Sequence, residues 1–152
     1  MRSVVLIAAL VAGGSTGTLL RASSFDANPP DAQTIAALEA RASQAQPREQ
    51  CFLYAQIVHQ MTELSLKEYS AGDIDHATGL LKRIQSFAQK IHLSIAVNDK
   101  RLKNTELLLS HTAFRLNEML HSSSYDDRPL VEQTLAQVNQ AQNEAMMTVF
   151  QK

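Results

Sequence analysis

Histidine and glutamate residues at helical spacing are the strongest candidates for chemistry in this chain. Glu118 and His121 lie three residues apart, and His59 and Glu63 lie four apart, so each pair shares one face of a helix. Imidazole nitrogens and carboxylate oxygens are common metal ligands. A carboxylate-bridged di-iron bundle needs a second Glu-x-x-His motif and two further glutamates, and no second motif occurs. The four residues are therefore weak candidates for a mononuclear metal site, and ordinary surface pairs are the alternative.

Signatures of known catalytic machinery do not occur in the sequence. It contains no Gly-x-Ser-x-Gly, His-Glu-x-x-His or Cys-x-x-Cys-His motif and no phosphate-binding glycine loop. The formal net charge of −1, without a basic stripe, gives no electrostatic footprint for nucleic acid. We therefore expect neither an enzyme nor a nucleic-acid-binding protein, and we expect no cofactor.

Residues 1–24 are typical of a signal peptide. Arg2 precedes an apolar run from Val4 to Ala12, and small residues that suit a signal peptidase follow the run. An uncleaved N-terminal membrane anchor over 4–20 is the alternative, although about 20 apolar residues are needed for a span. We expect cleavage and export to the periplasm or the medium, with no stable membrane span left in the mature chain.

A heptad-like register between Ile74 and Met119 is the strongest structural signal. Mostly apolar residues recur three and four apart without a slip, and no proline interrupts them. The register positions are Ile74, Ala77, Leu81, Ile84, Ala88, Ile91, Ile95, Asn98, Leu102, Thr105, Leu109, Thr112, Leu116 and Met119. This spacing is typical of coiled coils and antiparallel helical bundles.

Helix boundaries on either side of the register are marked by proline and glycine. Pro47 is suited to the first turn of a helix that Gly72 ends, and Pro129 opens the last helix. The composition has few breakers and no strand pattern, so we predict an all-α protein. Residues 25–46 are expected to form a mobile arm and an alanine-rich helix, and 47–152 a single helical domain.

Two architectures are compatible with the long register. One is a continuous central helix over 73–121, roughly 70 Å long at 1.5 Å per residue, with antiparallel hairpins folded on its two halves. The other is a reversal at Asn98-Asp99, which gives a four-helix up-down-up-down bundle. Asn tolerates the left-handed conformation and Asp can cap the next helix. We favour continuity, because the heptad phase survives this point and no glycine is present.

A second apolar stripe would remain exposed on a continuous central helix. Its members are Leu93, Val97, Leu107, Leu108 and Phe114. Exposed apolar surface of this kind favours association, at roughly 25 cal/mol per Å² buried. We therefore expect these residues to form an interaction surface, with a homodimer or another protein as the partner.

Four short segments resemble a group of small, exported bacterial helical proteins without an assigned activity. They are Cys51 to Tyr54, His59 to Glu63, Lys100 to Glu106 and Val149-Phe150. The resemblance implies export and an all-helical body, and it carries no functional residues. Independently of it, we interpret the single cysteine, Cys51, as a small buried apolar residue, with an intermolecular disulfide as the alternative. The sequence thus predicts an exported structural or interaction protein that acts through hydrophobic helix surfaces, with a ligand- or metal-binding bundle as the alternative.

Overall fold

The regular structure of the described residues is entirely α-helical, which confirms the all-α prediction. A computed structural model describes residues 30–95 and 101–151. Its helices are α1 (Ala32–Gln44), α2 (Pro47–Ala71), α3 (Ile74–Ile95), α4 (Leu102–Ser122) and α5 (Arg128–Phe150). The expected signal peptide, the arm up to residue 29, Val97 and Asn98-Asp99 lie outside the described residues.

Contacts between the helices set their relative directions. Along α2 and α4, the residue numbers of contacting pairs rise together, so these helices are parallel. The pairs are His59–Thr112, Glu63–Arg115 and Ser65–Met119. The same holds for α3 and α5, with the pairs Gln85–Thr134 and His92–Glu144. Partners on α2 and α3 run in opposite senses, with the pairs Tyr54–Phe87 and Ser65–Ala77. Because α3 is antiparallel to α2 and α4 is parallel to it, α3 and α4 point in opposite directions.

The favoured continuous central helix is therefore wrong, and the chain reverses between Ile95 and Leu102. The up-down-up-down bundle that we kept as the alternative describes the molecule. In it, α2 packs against α3 and α4, and α5 packs against the same two helices. As a result, α3 and α4 occupy opposite corners and both face one central core. Within α3 and within α4 the register positions lie inward, because each helix buries one side in that core.

The alanine-rich helix α1 contributes buried residues to the same core cluster as the predicted domain over 47–152. Asp31 caps α1 by accepting a hydrogen bond from the Thr34 backbone N–H at 2.6 Å. Ile35 and Ala42 are buried against α2 and join the same core cluster as the other four helices. Two buried apolar positions are enough for docking here, because alanine already favours the helix.

The end of α2 is determined by a glycine, and the last turns of α2 hold a neighbouring turn by hydrogen bonds. Gly72 ends α2 with φ at +86°, a conformation that glycine adopts at little cost. Nearby, the Tyr69 hydroxyl donates to Asp127 Oδ2 at 3.0 Å and accepts from the Ser124 backbone N–H at 2.8 Å. These bonds fix the turn between α4 and α5 to the last turns of α2.

Cys51 is buried, as the sequence predicts.

Candidate functional site

His59 is a buried residue of α2 that faces α4. Its Nδ1 lies 3.2 Å from Thr112 Oγ1, and the Thr112 hydroxyl donates to the Leu108 carbonyl oxygen at 2.7 Å. Because that hydroxyl proton is already used, the network assigns the donor role to His59 Nδ1. His111 completes the environment, with its ring centroid 5.1 Å from that of His59. The His59 ring is thus fixed by side chains of the neighbouring helix.

Glu63 and Glu118 both bind Arg115. The guanidinium group of Arg115 donates two hydrogen bonds to Glu63, at 2.7 and 2.9 Å, and a third bond goes to Glu118. The bonds to Glu63 are the main cause that raises the pKa of Arg115 above its ordinary value, although burial acts against them. One guanidinium cation is thus shared between two carboxylates of the protein.

The four candidate metal ligands do not converge on one site. His121 Nδ1 donates to the Asn117 carbonyl oxygen of its own helix at 2.7 Å, so it acts locally at the end of α4. Within 30–95 and 101–151, the group of three side chains that comes within metal-binding reach is Glu68, Asp73 and His76, at the corner between α2 and α3. Asp73 there accepts a hydrogen bond from the His76 backbone N–H and caps α3.

The predicted interaction residues divide between surface and core. Leu93 on α3 is 74% exposed, and Leu107 and Phe114 on α4 are 54% and 59% exposed. Leu108, by contrast, is buried, because the reversal turns that side of α4 towards α2. Leu108 is therefore a core residue, and the expectation that it lies on a contact surface is wrong. Val97 lies outside the described residues.

A groove of about 360 Å³ lies between α3 and α5, with Leu93 on its rim. Ala88 and Ala141 line it, and their small side chains leave the space between the two helices open. Gln137 also lines the groove, and its buried Oε1 has no hydrogen-bond partner among the described residues. A concave, largely apolar site with a few polar groups is the usual form of a binding site.

An ion pair borders this groove and joins α3 to α5. His92 Nδ1 bonds to Glu144 Oε2, and Gln140 Nε2 donates to Glu144 Oε1 at 3.1 Å. Partial burial raises the pKa of Glu144, but the hydrogen bonds from His92 and Gln140 together with the charge of His92 outweigh it. The net effect is a pKa below the ordinary value of 4.5. The side chains of His92 and Gln140 on the rim of the groove are thus both bonded to Glu144.

Of the residues that line the groove, Leu93 is predicted from the sequence as a contact residue and the others are not. Gln137, Gln140 and Glu144 look like a solvated helix face, since nothing local marks them. Ala88 of α3 and Ala141 of α5 would indicate the groove, because small residues on facing helices leave space between them. Using them requires knowing that α3 packs against α5. No described helix is long and apolar enough to cross a membrane. Searches for similar proteins match this chain to no family model, curated protein or solved structure.

Proposed function

We propose that this protein is an exported helical binding module that takes an apolar side chain of a partner protein into the groove between α3 and α5. The observation that carries the proposal is the exposure of Leu93, 74%, on the rim of that groove. Export rests on the N-terminal sequence pattern alone. The groove supplies contact area, and a polar rim supplies orientation, which is the usual division of roles at an interface.

The polar rim favours a peptide segment of a partner over a second copy of this chain. Leu93 has Gln89, His92 and Gln140 beside it, so the apolar surface is confined to the groove itself. A stable dimer generally buries about 1,200–2,000 Å² with an apolar centre. One leucine among glutamines instead suits a short segment that offers an apolar anchor and an N–H donor for Gln137 Oε1.

Selection of short random peptides displayed on phage tests this function. The enriched peptides should share an apolar anchor, and calorimetry should give their affinity for the protein and two variants. Leu93→Glu is expected to weaken binding about tenfold or more, the loss of roughly 1.4 kcal/mol. Leu107→Glu is the matched control, because Leu107 is also exposed but lies on α4.

Two outcomes would contradict the proposal. Peptides that bind both variants with equal affinity would place recognition outside the groove. A dimer in light scattering that Leu93→Glu dissociates would make a second copy the occupant. Because Leu93 is mostly exposed, the Leu93→Glu variant is expected to fold normally, and unfolding curves check this.

A further inference from the structure

A second pocket, of about 190 Å³, lies at the end of the bundle where α2 and α4 begin. Phe52 and Leu53, both buried, form its floor. Its rim carries three arginines, Arg41 of α1, Arg48 of α2 and Arg101 before α4, and one acidic residue, Glu49. The guanidinium carbon of Arg101 lies 5.0 Å from the centroid of the Phe52 ring, so this arginine stacks on the floor.

The fold brings these arginines together from distant parts of the chain. Gln50 Nε2 donates to the Ala42 carbonyl oxygen at 3.3 Å, which places the last turn of α1, with Arg41, beside the first turn of α2. The parallel pairing of α2 and α4 puts Arg48 level with Arg101. Arg41 and Arg48 form no ion pair with another described residue.

The placement of positive charge at this end opposes helix stability. Arg48 lies in the first turn of α2 together with the acidic Glu49, and Arg101 and Lys103 lie at the start of α4, whose first turn has no acidic residue. The N-terminus of a helix carries partial positive charge, so it favours acidic side chains and disfavours basic ones. Neither helix start has a side-chain hydrogen bond at its N-cap residue. An anion bound between the helix starts would offset both effects.

We infer that this pocket, defined by Arg41, Arg48, Arg101 and the floor of Phe52 and Leu53, binds a phosphate group of a small ligand. Arg41, Arg48 and Arg101 line the pocket from three different elements, and the guanidinium groups of Arg41 and Arg48 can each donate two parallel hydrogen bonds to an oxyanion. That geometry suits the three or four oxygens of a phosphate better than the two of a carboxylate. This inference is independent of the groove between α3 and α5, which lies between other helices.

Pyrophosphate is the probe for the test, titrated by calorimetry into the full chain at constant ionic strength, because screening changes with salt. Arg41→Gln and Arg48→Gln should each lower the affinity about tenfold or more, since each removes charge-assisted hydrogen bonds. Arg128→Gln is the matched control. Arg128 lies at the N-terminus of α5, at the opposite end of the bundle, and its loss should change the affinity less than about twofold.

Thermal unfolding separates a binding role of the arginines from a structural one. Pyrophosphate should raise the midpoint of the unmodified protein and of Arg128→Gln, and it should raise that of Arg48→Gln clearly less at the same concentration. Without pyrophosphate, Arg48→Gln should melt at the same or a higher temperature, because a charge unfavourable to the helix is removed. Absence of binding at millimolar pyrophosphate, equal loss of affinity in Arg128→Gln, or tighter binding of citrate would each overturn the inference. A lowered midpoint in ligand-free Arg48→Gln would also overturn it.

Discussion

Arg115 determines what Glu63 and Glu118 can do. Its guanidinium group binds both carboxylates, and the contact with Glu63 uses both carboxylate oxygens. A metal ion at either glutamate would have to compete with this arginine for the carboxylate oxygens. The bonds therefore favour a structural role for both glutamates, in which the pair joins α2 to α4.

Ile84 provides a test of the core at the level of one residue. It is fully buried in α3, and Ile84→Ala should lower the free energy of unfolding by about 2–5 kcal/mol through lost burial and a new cavity. Ser86 lies on the exposed side of the same helix, so Ser86→Ala should change stability by about 0.5 kcal/mol or less. Urea unfolding measures both values. Equal effects would mean that the inward side of α3 is wrongly assigned.

Glu144 gives the protein a pH dependence with a defined sign. Its pKa is lower in the folded protein than its ordinary value of 4.5, so the folded state favours the ionised carboxylate. The resulting stabilisation is complete above pH 4.5 and is lost as the pH falls through the lowered pKa. Glu144→Gln should therefore flatten the decline in unfolding midpoint below pH 4.5 and leave the slope near pH 7 unchanged. An unchanged acid slope in the variant would contradict the assigned role of Glu144.

The groove could be predicted only in part because its residues depend on helix pairing. Leu93 is visible in the sequence as an apolar residue outside the main register. Glu144 lies 52 residues from His92, and their contact exists only because α3 and α5 run parallel side by side. A continuous central helix would have kept them apart. Because the predicted architecture did not place α5 beside α3, the polar residues of α5 that border the groove were not predicted.

At the scale of helices, Gly72 and Gly79 should respond in opposite ways to the same substitution. Gly72 has φ at +86° at the end of α2, so Gly72→Ala should destabilise the fold by about 1 kcal/mol. Gly79 lies inside α3 with open space around it, so Gly79→Ala should stabilise the fold by about 0.5–1 kcal/mol. Denaturant unfolding gives both values. A shared sign for the two substitutions would contradict the assigned helix boundaries.

The helices themselves followed from the sequence, whereas the reversal did not. Both ends of α2 were predicted at Pro47 and Gly72, because proline and glycine act locally on the backbone. Among the described residues, Ile95 is the last buried residue of α3 and Leu102 is the first of α4, and they are seven positions apart in the sequence. A seven-residue separation leaves the heptad count of the sequence unbroken, so the pattern alone does not reveal the reversal. Periodicity reports which side of a helix is inward and carries no information about direction.

At the scale of the molecule, the two ends of the bundle differ in charge. The N-termini of α3 and α5 lie at one end, where Asp73, Asp75 and Asp127 have the sign that the helix dipole favours and Arg128 is a basic exception. The N-termini of α2 and α4 lie at the other end, where Arg48 and Arg101 have the unfavourable sign and Glu49 is an acidic exception. Since the near-neutral net charge conceals this separation, composition alone gave no reason to expect an anion site.

The overall dimensions test the reversal and the need for a partner together. α3 has 22 residues, about 33 Å at 1.5 Å per residue, against roughly 70 Å for the continuous helix. Small-angle scattering should therefore give a radius of gyration near 15 Å, the value for a globular chain of this size. Light scattering should give the mass of one chain, because Leu108 is already buried within the bundle and needs no second copy to cover it. A maximum dimension of about 70 Å with twice that mass would restore the continuous helix and the elongated homodimer.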